Sequence, residues 1–88
     1  MHIESFTLEG ADCSLEIPRG GKVRMVEIIG TSITLSVECS KLSSSTSTRR
    51  FHVVINDSEF AGVGLEYVGC TIDHQTDTRY FVYEVIAW

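Results

Sequence analysis

The chain has 88 residues, of which 43% are hydrophobic and 22% are charged. These proportions are ordinary for one small globular domain, and they exclude a disordered tail, a coiled coil and a collagen-like chain. Lys and Arg number 7 against 12 Asp and Glu, a formal net charge of −5. This balance disfavours duplex nucleic acid as a partner, because proteins that bind it present a basic face.

A period of two dominates the sequence and predicts strands throughout. The clearest stretch is Ser32–Ser40, in which apolar and polar residues alternate as they do in a half-buried strand. In the third predicted strand, Lys22–Ile29, the alternation slips, and we expect a bulge near Met25 and Val26 or burial on both faces. The predicted strands, in chain order, are His2–Glu9, Asp12–Ile17, Lys22–Ile29, Ser32–Ser40, Arg50–Ile55, Leu65–Ile72 and Arg79–Trp88.

Turn-forming residues separate these strands. Gly30-Thr31 predicts a tight hairpin, and Pro18 begins a turn that ends the second strand. Two longer loops are expected at 41–48, which is rich in Ser and Thr, and at 56–64; residues 73–77 close the last hairpin. No helical stripe is present. Seven short antiparallel strands predict an all-β fold in one domain, residues 1–88, built as a compact sandwich or a small barrel.

The three cysteines, Cys13, Cys39 and Cys70, are odd in number and far apart. This spacing fits neither a disulfide framework nor a zinc knuckle. Each cysteine alternates with apolar neighbours, so we expect three reduced core thiols. No secretory signal or membrane span is recognisable, and we expect a cytoplasmic protein.

The motif search favours a protein that is not an enzyme and holds no cofactor. No nucleophile motif is present, and the three histidines lie far apart in sequence. Asp73, His74 and Asp77 could ligate a metal, but Asp is also a preferred turn residue, so we predict a turn and no metal. Glu66 and Glu84 are expected on solvated faces.

Basic and aromatic residues form the strongest candidate site. Arg49 and Arg50 lead into one strand and Arg79 into another, so the pairs could gather at one end of the sheet. Arginine binds phosphate in a bidentate manner and aromatic rings stack on bases, which suits a small anionic nucleotide. The alternative to a binding site is that the arginines are strand-edge charges that block aggregation and that the aromatic residues belong to the core. The candidate ligand-binding residues are Arg49, Arg50, His52, Arg79, Tyr80 and Tyr83.

The last predicted strand is apolar on both faces, and one sheet of a small domain buries only one of them. Chain termini normally fray into solvent, so a large aromatic residue at position 88 suggests that the Trp88 side chain packs against another surface. Closed two-fold dimers are the commonest assembly. We therefore predict a homo-oligomer whose interface includes Ile86 and Trp88.

Taken together, these segments resemble a family of small proteins of unestablished activity found mainly in phages and bacterial genomes. The resemblance covers nearly the whole chain but departs from the family pattern in the Ser/Thr-rich loop and at Asn56–Phe60, where relatives are glycine-rich. It implies a β-rich fold and a phage origin, and it assigns no residue a role. The segments that carry it are Ile17-Pro18-Arg19-Gly20-Gly21 with Lys22-Val23, Leu35-x-Val37, Arg50-Phe51-x-Val53, Leu65-x-Tyr67-Val68-Gly69 and Phe81-Val82-x-Glu84-Val85.

Two functions from different classes follow as expectations. The first is a non-enzymatic phage counter-defence module that sequesters a nucleotide immune signal, such as a cyclic or ADP-ribose-type nucleotide. The alternative is a protein-binding inhibitor of a host factor, or a small virion component. Small size and the Arg/aromatic pairing motivate the first, while acidic charge and the two-faced last strand motivate the second.

Overall fold

The structure, a computed structural model, describes residues 2–40, 45–56 and 64–86. The predicted all-β fold is confirmed: the described residues form seven antiparallel strands and no helix. Nor do they include any helix that could cross a membrane. The strands are β1 (His2–Leu8), β2 (Asp12–Pro18), β3 (Lys22–Ile29), β4 (Ser32–Cys39), β5 (Thr46–Ile55), β6 (Leu65–Asp73) and β7 (Thr78–Val85).

The strands form two sheets rather than one closed barrel sheet. One sheet has three strands in the order β1-β4-β3, and the other has four in the order β2-β5-β7-β6. The chain crosses between the sheets after β1, after β2 and after β4. The fold is therefore a sandwich, and of the two predicted architectures this is the one the chain adopts.

The core lies between the sheets and follows the alternation that the sequence predicts. Inward residues of both sheets are buried, which leaves the alternate residues on two outer faces. The buried cluster consists of Leu8, Leu35, Val37 and Cys39 from the three-stranded sheet and Ile17, Phe51, Val53 and Val82 from the four-stranded sheet.

Each sheet contains an irregularity that changes which side chains face the core. In β3 the register shifts between Val23 and Met25, so the predicted bulge is present one residue earlier than expected. In β6 it shifts between Tyr67 and Gly69. The two irregular strands approach each other, and a Cβ on Gly69 would lie 2.9 Å from Cγ2 of Val26. Glycine therefore permits this close approach of the sheet edges.

The fifth strand begins earlier than the sequence analysis predicted. Thr46, Ser47 and Thr48, expected in a loop, pair with Pro18, Ile17 and Glu16 of β2. The Glu16 carboxylate accepts hydrogen bonds from the hydroxyls of Thr46 and Thr48, and threonine suits a strand because it is β-branched. Of the rest of the predicted loop, residues 41–44 lie outside the described residues, and Ser45 precedes the strand.

The tight turns are as predicted. Gly30 in the β3–β4 hairpin has φ of 65°, a conformation that glycine adopts without steric cost. In the β6–β7 turn, Oδ1 of Asp73 accepts a hydrogen bond from the backbone N–H of Gln75 at 3.0 Å. This bond confirms the turn function expected of Asp73.

Candidate functional site

Arg49 and Arg50 are consecutive in β5 and therefore point to opposite faces of the four-stranded sheet. The side chain of Arg49 points inward. Its Nε and Nη2 donate to the two carboxylate oxygens of Glu84 at 2.7 and 2.6 Å, and Nη1 donates to the carbonyl oxygen of Gly21 at 2.6 Å. Its guanidinium carbon also lies 5.8 Å from the centre of the Phe51 ring.

This pairing makes Arg49 a structural residue at one end of the sandwich. The side chains of Arg49 and Glu84 are 22% and 20% exposed, and the hydrogen bond to Glu84 raises the pKa of Arg49 further above its usual value. The expectation that Glu84 lies on a solvated face is wrong, because Glu84 pairs with Phe51 in register and shares its inward face. The charge of Arg49 is already neutralised by this partner.

Three of the candidate residues do come together on the outer face of the four-stranded sheet. His52 and Tyr83 are directly opposite each other across β5 and β7, and Arg50 precedes His52 on the same side. Asp12 of β2 sits beside them, with its Oδ1 3.0 Å from Nδ1 of His52 and 3.7 Å from Nη2 of Arg50. One carboxylate therefore offsets part of the positive charge of this group.

The other two candidates lie elsewhere, so the expected gathering of basic pairs at one end of the sheet is wrong. Strands β5 and β7 are antiparallel, so their starting residues lie at opposite ends. Arg79 is six residues from Val85 along β7, a separation of about 20 Å. Tyr80 pairs with Ile55 and points inward, away from Tyr83.

Tyr80 lines a cleft of about 430 Å³ between the two sheets. Apolar side chains, among them Leu8, Ile28 and Val53, form much of its wall. The carboxylates of Glu9 and Asp73 also line it. Among the described residues that line the cleft, two are acidic and none is an arginine or a lysine, which makes it unsuitable for a phosphate-bearing ligand.

A continuous apolar surface covers the outer side of β6 and β7. Three cross-strand pairs lie side by side there: Leu65 with Val85, Tyr67 with Tyr83, and Cys70 with Phe81. Tyr67 and Tyr83 make an edge-to-face contact with ring centres 5.6 Å apart. We call this surface the aromatic face; its members are Leu65, Tyr67, Cys70, Ile72, Phe81, Tyr83 and Val85.

The aromatic face is accessible to a partner. Tyr67 is 54% exposed and Ile72 is 39% exposed, and Cys70 is exposed as well. A hydrogen bond with Cys70 is the main cause of a raised pKa at Tyr67, with smaller contributions from burial and from nearby groups. The Tyr67 side chain is therefore neutral at physiological pH and adds no charge to this surface.

The exposure of Cys70 corrects the prediction of three core thiols. All three cysteines are free, but Cys39 is buried, Cys13 is half-buried and Cys70 is exposed. The alternation predicted that Val68 and Cys70 would share the inner face. The bulge between Tyr67 and Gly69 breaks that phase, so Val68 packs on the core while Cys70 points outward.

The predicted interface residues lie at the end of β7. Ile86 follows the strand, is 58% exposed, and donates its backbone N–H to the carbonyl of Gly64 at 2.8 Å. Trp88 lies outside the described residues. The predicted homo-oligomer therefore stays a prediction, and the structure adds the aromatic face as a surface next to this chain end.

Comparison of the chain with protein-family models, with curated proteins and with solved structures finds no match in any of the three. The resemblance to small phage and bacterial proteins therefore stays a prediction.

The sequence analysis missed Tyr67, Cys70 and Ile72 as a surface. No local sequence signal groups them, because they become one surface only through the pairing of β6 with β7, which sets Tyr67 and Ile72 opposite outward positions of the last strand. The two-faced apolar character of that last strand was recognised. The adjoining strand is predicted at Leu65–Ile72, but the outward phase of its residues is not, because the bulge disguises the alternation.

Proposed function

We propose that this chain is a small non-enzymatic binding protein that binds protein through its aromatic face, with a second copy of the chain as the occupant. The observation that carries the proposal is the continuity of apolar side chains across two neighbouring strands on the side of the sheet that faces away from the core. Contiguous exposed apolar surface of this kind marks interaction sites in soluble proteins.

The opposite outer face of the same molecule provides a comparison. Exposed apolar residues also occur there, with Ile3 on β1 and Met25 and Ile29 on β3. They are separated by the central strand β4, whose outward residues are Ser32, Thr34, Ser36 and Glu38. Scattered exposed residues need no partner, so the contiguous patch on β6 and β7 is the distinctive one.

A second copy suits this face in size and shape. The outer face of the four-stranded sheet, with strands of about eight residues, has a flat area of about 500 Å² before side-chain relief, and the aromatic face is the β6–β7 half of it. A standard interface buries roughly 800 Å² of accessible surface per partner, so a dimer would use the whole outer face. Two sheets pack face to face readily, as they do inside the sandwich. A two-fold arrangement lets the same patch serve both copies.

Charge is compatible with self-association. The outer face carries Arg50 and Arg79 near its opposite ends and acidic Asp12 and Glu16 along β2, so two copies can place opposite charges against one another. A domain this small has a thin core, and burying a second apolar surface adds stability that one copy alone lacks.

The test is analytical ultracentrifugation of the wild type and two matched variants. Tyr67→Glu places a charge in the aromatic face, and Ile3→Glu places one at a similarly exposed position, 55% against 54%, on the opposite face. We expect a dimer for the wild type and Ile3→Glu and a monomer for Tyr67→Glu. A wild-type monomer at high micromolar concentration, or a dimer unaffected by Tyr67→Glu, contradicts the proposal, and a complex with a different protein makes that protein the occupant instead.

A second candidate function is favoured by the adjacency of Arg50, His52 and Tyr83 on the same outer face. Two nitrogen-bearing side chains beside an aromatic ring suit a phosphate and a base. In this alternative the chain is a counter-defence module that sequesters a nucleotide signal. Isothermal titration with cyclic dinucleotides and ADP-ribose is the experiment; no heat of binding with either eliminates it, and binding that Arg50→Ala weakens supports it.

A further inference from the structure

Three side chains with metal-binding atoms meet where β1 begins and β4 ends. His2 pairs with Cys39 in register, and Glu4 lies two residues further along β1 on the same inward face. Their donor atoms all lie within 4.8 Å of one another. Nε2 of His2 is 3.0 Å from Oε1 of Glu4.

The imidazole of His2 is incompletely satisfied in this position. Its Nδ1 is buried and has no hydrogen-bond partner among the described residues. When Nε2 donates to Glu4, Nδ1 carries a lone pair that nothing in the described part of the chain engages. A buried polar atom without a partner costs free energy, so hydrogen bonds do not fully fix this imidazole; as a ligand beside Glu4 it would use Nε2, the nitrogen that already faces the Glu4 carboxylate.

We propose that His2, Glu4 and Cys39 form a binding site for a divalent transition metal, with zinc as the best match. Zinc accepts one thiolate, one imidazole and one carboxylate, whereas magnesium and calcium require oxygen ligands. Three protein ligands leave the fourth tetrahedral position for water or another ligand. The site lies outside the aromatic face and does not depend on the proposed function.

The distances allow such a site with small side-chain movements. Tetrahedral zinc at about 2.3 Å from sulfur and 2.0 Å from nitrogen holds those two ligands about 3.5 Å apart, within the 4.8 Å limit of this cluster. A cavity of about 280 Å³ borders the cluster at Cys39; its lining residues are Gly20, Lys22, Glu38, Cys39 and Ser40. Because the ligands come from two strands, the metal would fasten β1 to β4.

The competing interpretation is a cysteine nucleophile assisted by His2. Catalytic cysteines are partly exposed and have a lowered pKa. Cys39 is 4% exposed, and burial, with a smaller contribution from Glu4, raises the pKa of its thiol. A neutral buried thiol is a poor nucleophile. A metal ion bound at this site would instead stabilise the thiolate form of Cys39 by coordinating its sulfur.

The test is titration of the untagged, metal-free full chain with Co²⁺ and then with Zn²⁺. We expect one Co²⁺ per chain with a near-ultraviolet thiolate-to-cobalt charge-transfer band, which Zn²⁺ abolishes by displacement. Cys39→Ser removes the band. His2→Ala and Glu4→Gln should each weaken binding by about 100-fold or more, since even outer-shell partners of metal ligands change affinity by about 10–100-fold.

The controls are His52→Ala and Cys70→Ser, which remove a histidine and a cysteine elsewhere on the sandwich and should leave binding unchanged. Circular dichroism checks that each variant folds. His2→Ala and Glu4→Gln alter half-exposed side chains, so they test the site even if Cys39→Ser does not fold. Absence of the charge-transfer band in the wild type overturns the proposal, and so does equal binding by the wild type, His2→Ala and Glu4→Gln.

Discussion

Two adjacent arginines have different physical functions because a strand sends consecutive side chains to opposite faces. We expect Arg49→Ala to lower the free energy of unfolding by about 2 kcal/mol. Truncation leaves the Glu84 carboxylate and the Gly21 carbonyl without their donor. Complete burial would make the loss larger, but both charged side chains are about one-fifth exposed. Urea denaturation measures the change.

Arg50→Ala is the matched control for that experiment. The Arg50 side chain is 39% exposed and its Nη2 lies 3.7 Å from Oδ1 of the exposed Asp12 carboxylate, so we expect a change within about 0.5 kcal/mol. If Arg50→Ala proves as destabilising as Arg49→Ala, the division of function between the two faces is wrong.

Thiol reactivity should follow the three environments of the cysteines. With Ellman's reagent at mildly alkaline pH, with chelator present and with Tyr67→Glu as the background so that a second copy does not cover Cys70, we expect Cys70 to react first and Cys39 last. Cys70 is exposed whereas Cys39 is buried, and the raised pKa of the Cys39 thiol leaves less reactive thiolate at any pH below that value. The variants Cys70→Ser and Cys39→Ser identify the phases. A fast phase that survives in Cys70→Ser but disappears in Cys39→Ser would refute the assignment.

At the scale of elements, the contact between the bulged strands β3 and β6 is sensitive to substitution. Gly69→Ala would place a methyl group 2.9 Å from Cγ2 of Val26. We expect it to destabilise the fold by about 1–2 kcal/mol through overpacking, partly offset by the lower entropy of the unfolded chain. Thermal and urea unfolding give the value.

A double variant distinguishes this clash from a generic backbone effect. Val26→Ala removes the branched methyl groups that the new Cβ meets. The combination Gly69→Ala with Val26→Ala should therefore be less destabilising than the sum of the two single changes. If the effects are additive, the two strands do not meet at this point.

At the scale of the whole molecule, the proposed dimer predicts that stability depends on protein concentration. For a dimer that unfolds to single chains, each tenfold rise in concentration adds about 1.4 kcal/mol per dimer. For two chains of 88 residues that free energy corresponds to a rise in Tm of about 4 °C. Differential scanning fluorimetry over two decades of concentration measures it.

The Ile3→Glu and Tyr67→Glu variants also distinguish how Tm depends on protein concentration. Ile3→Glu should keep the concentration dependence, whereas Tyr67→Glu should lose it and unfold at a lower temperature. A Tm that is constant with concentration for the wild type means that the aromatic face is not buried by a second copy.

The sequence by itself determined the fold class, the number of strands and nearly all their positions, because the alternation of apolar and polar residues is a local property of each strand. It also placed the hairpin at Gly30 and came within one residue of the bulge in β3.

The tertiary structure alone decided which residues meet. Strand order put β6 beside β7 and made the aromatic face. The antiparallel direction of β5 and β7 separated Arg79 from Arg50, and the inward phase of Glu84 gave Arg49 its partner. Pairing between strands that are distant in sequence brought His2 to Cys39. These contacts depend on which strands become neighbours and in what register, and local alternation carries no information about either.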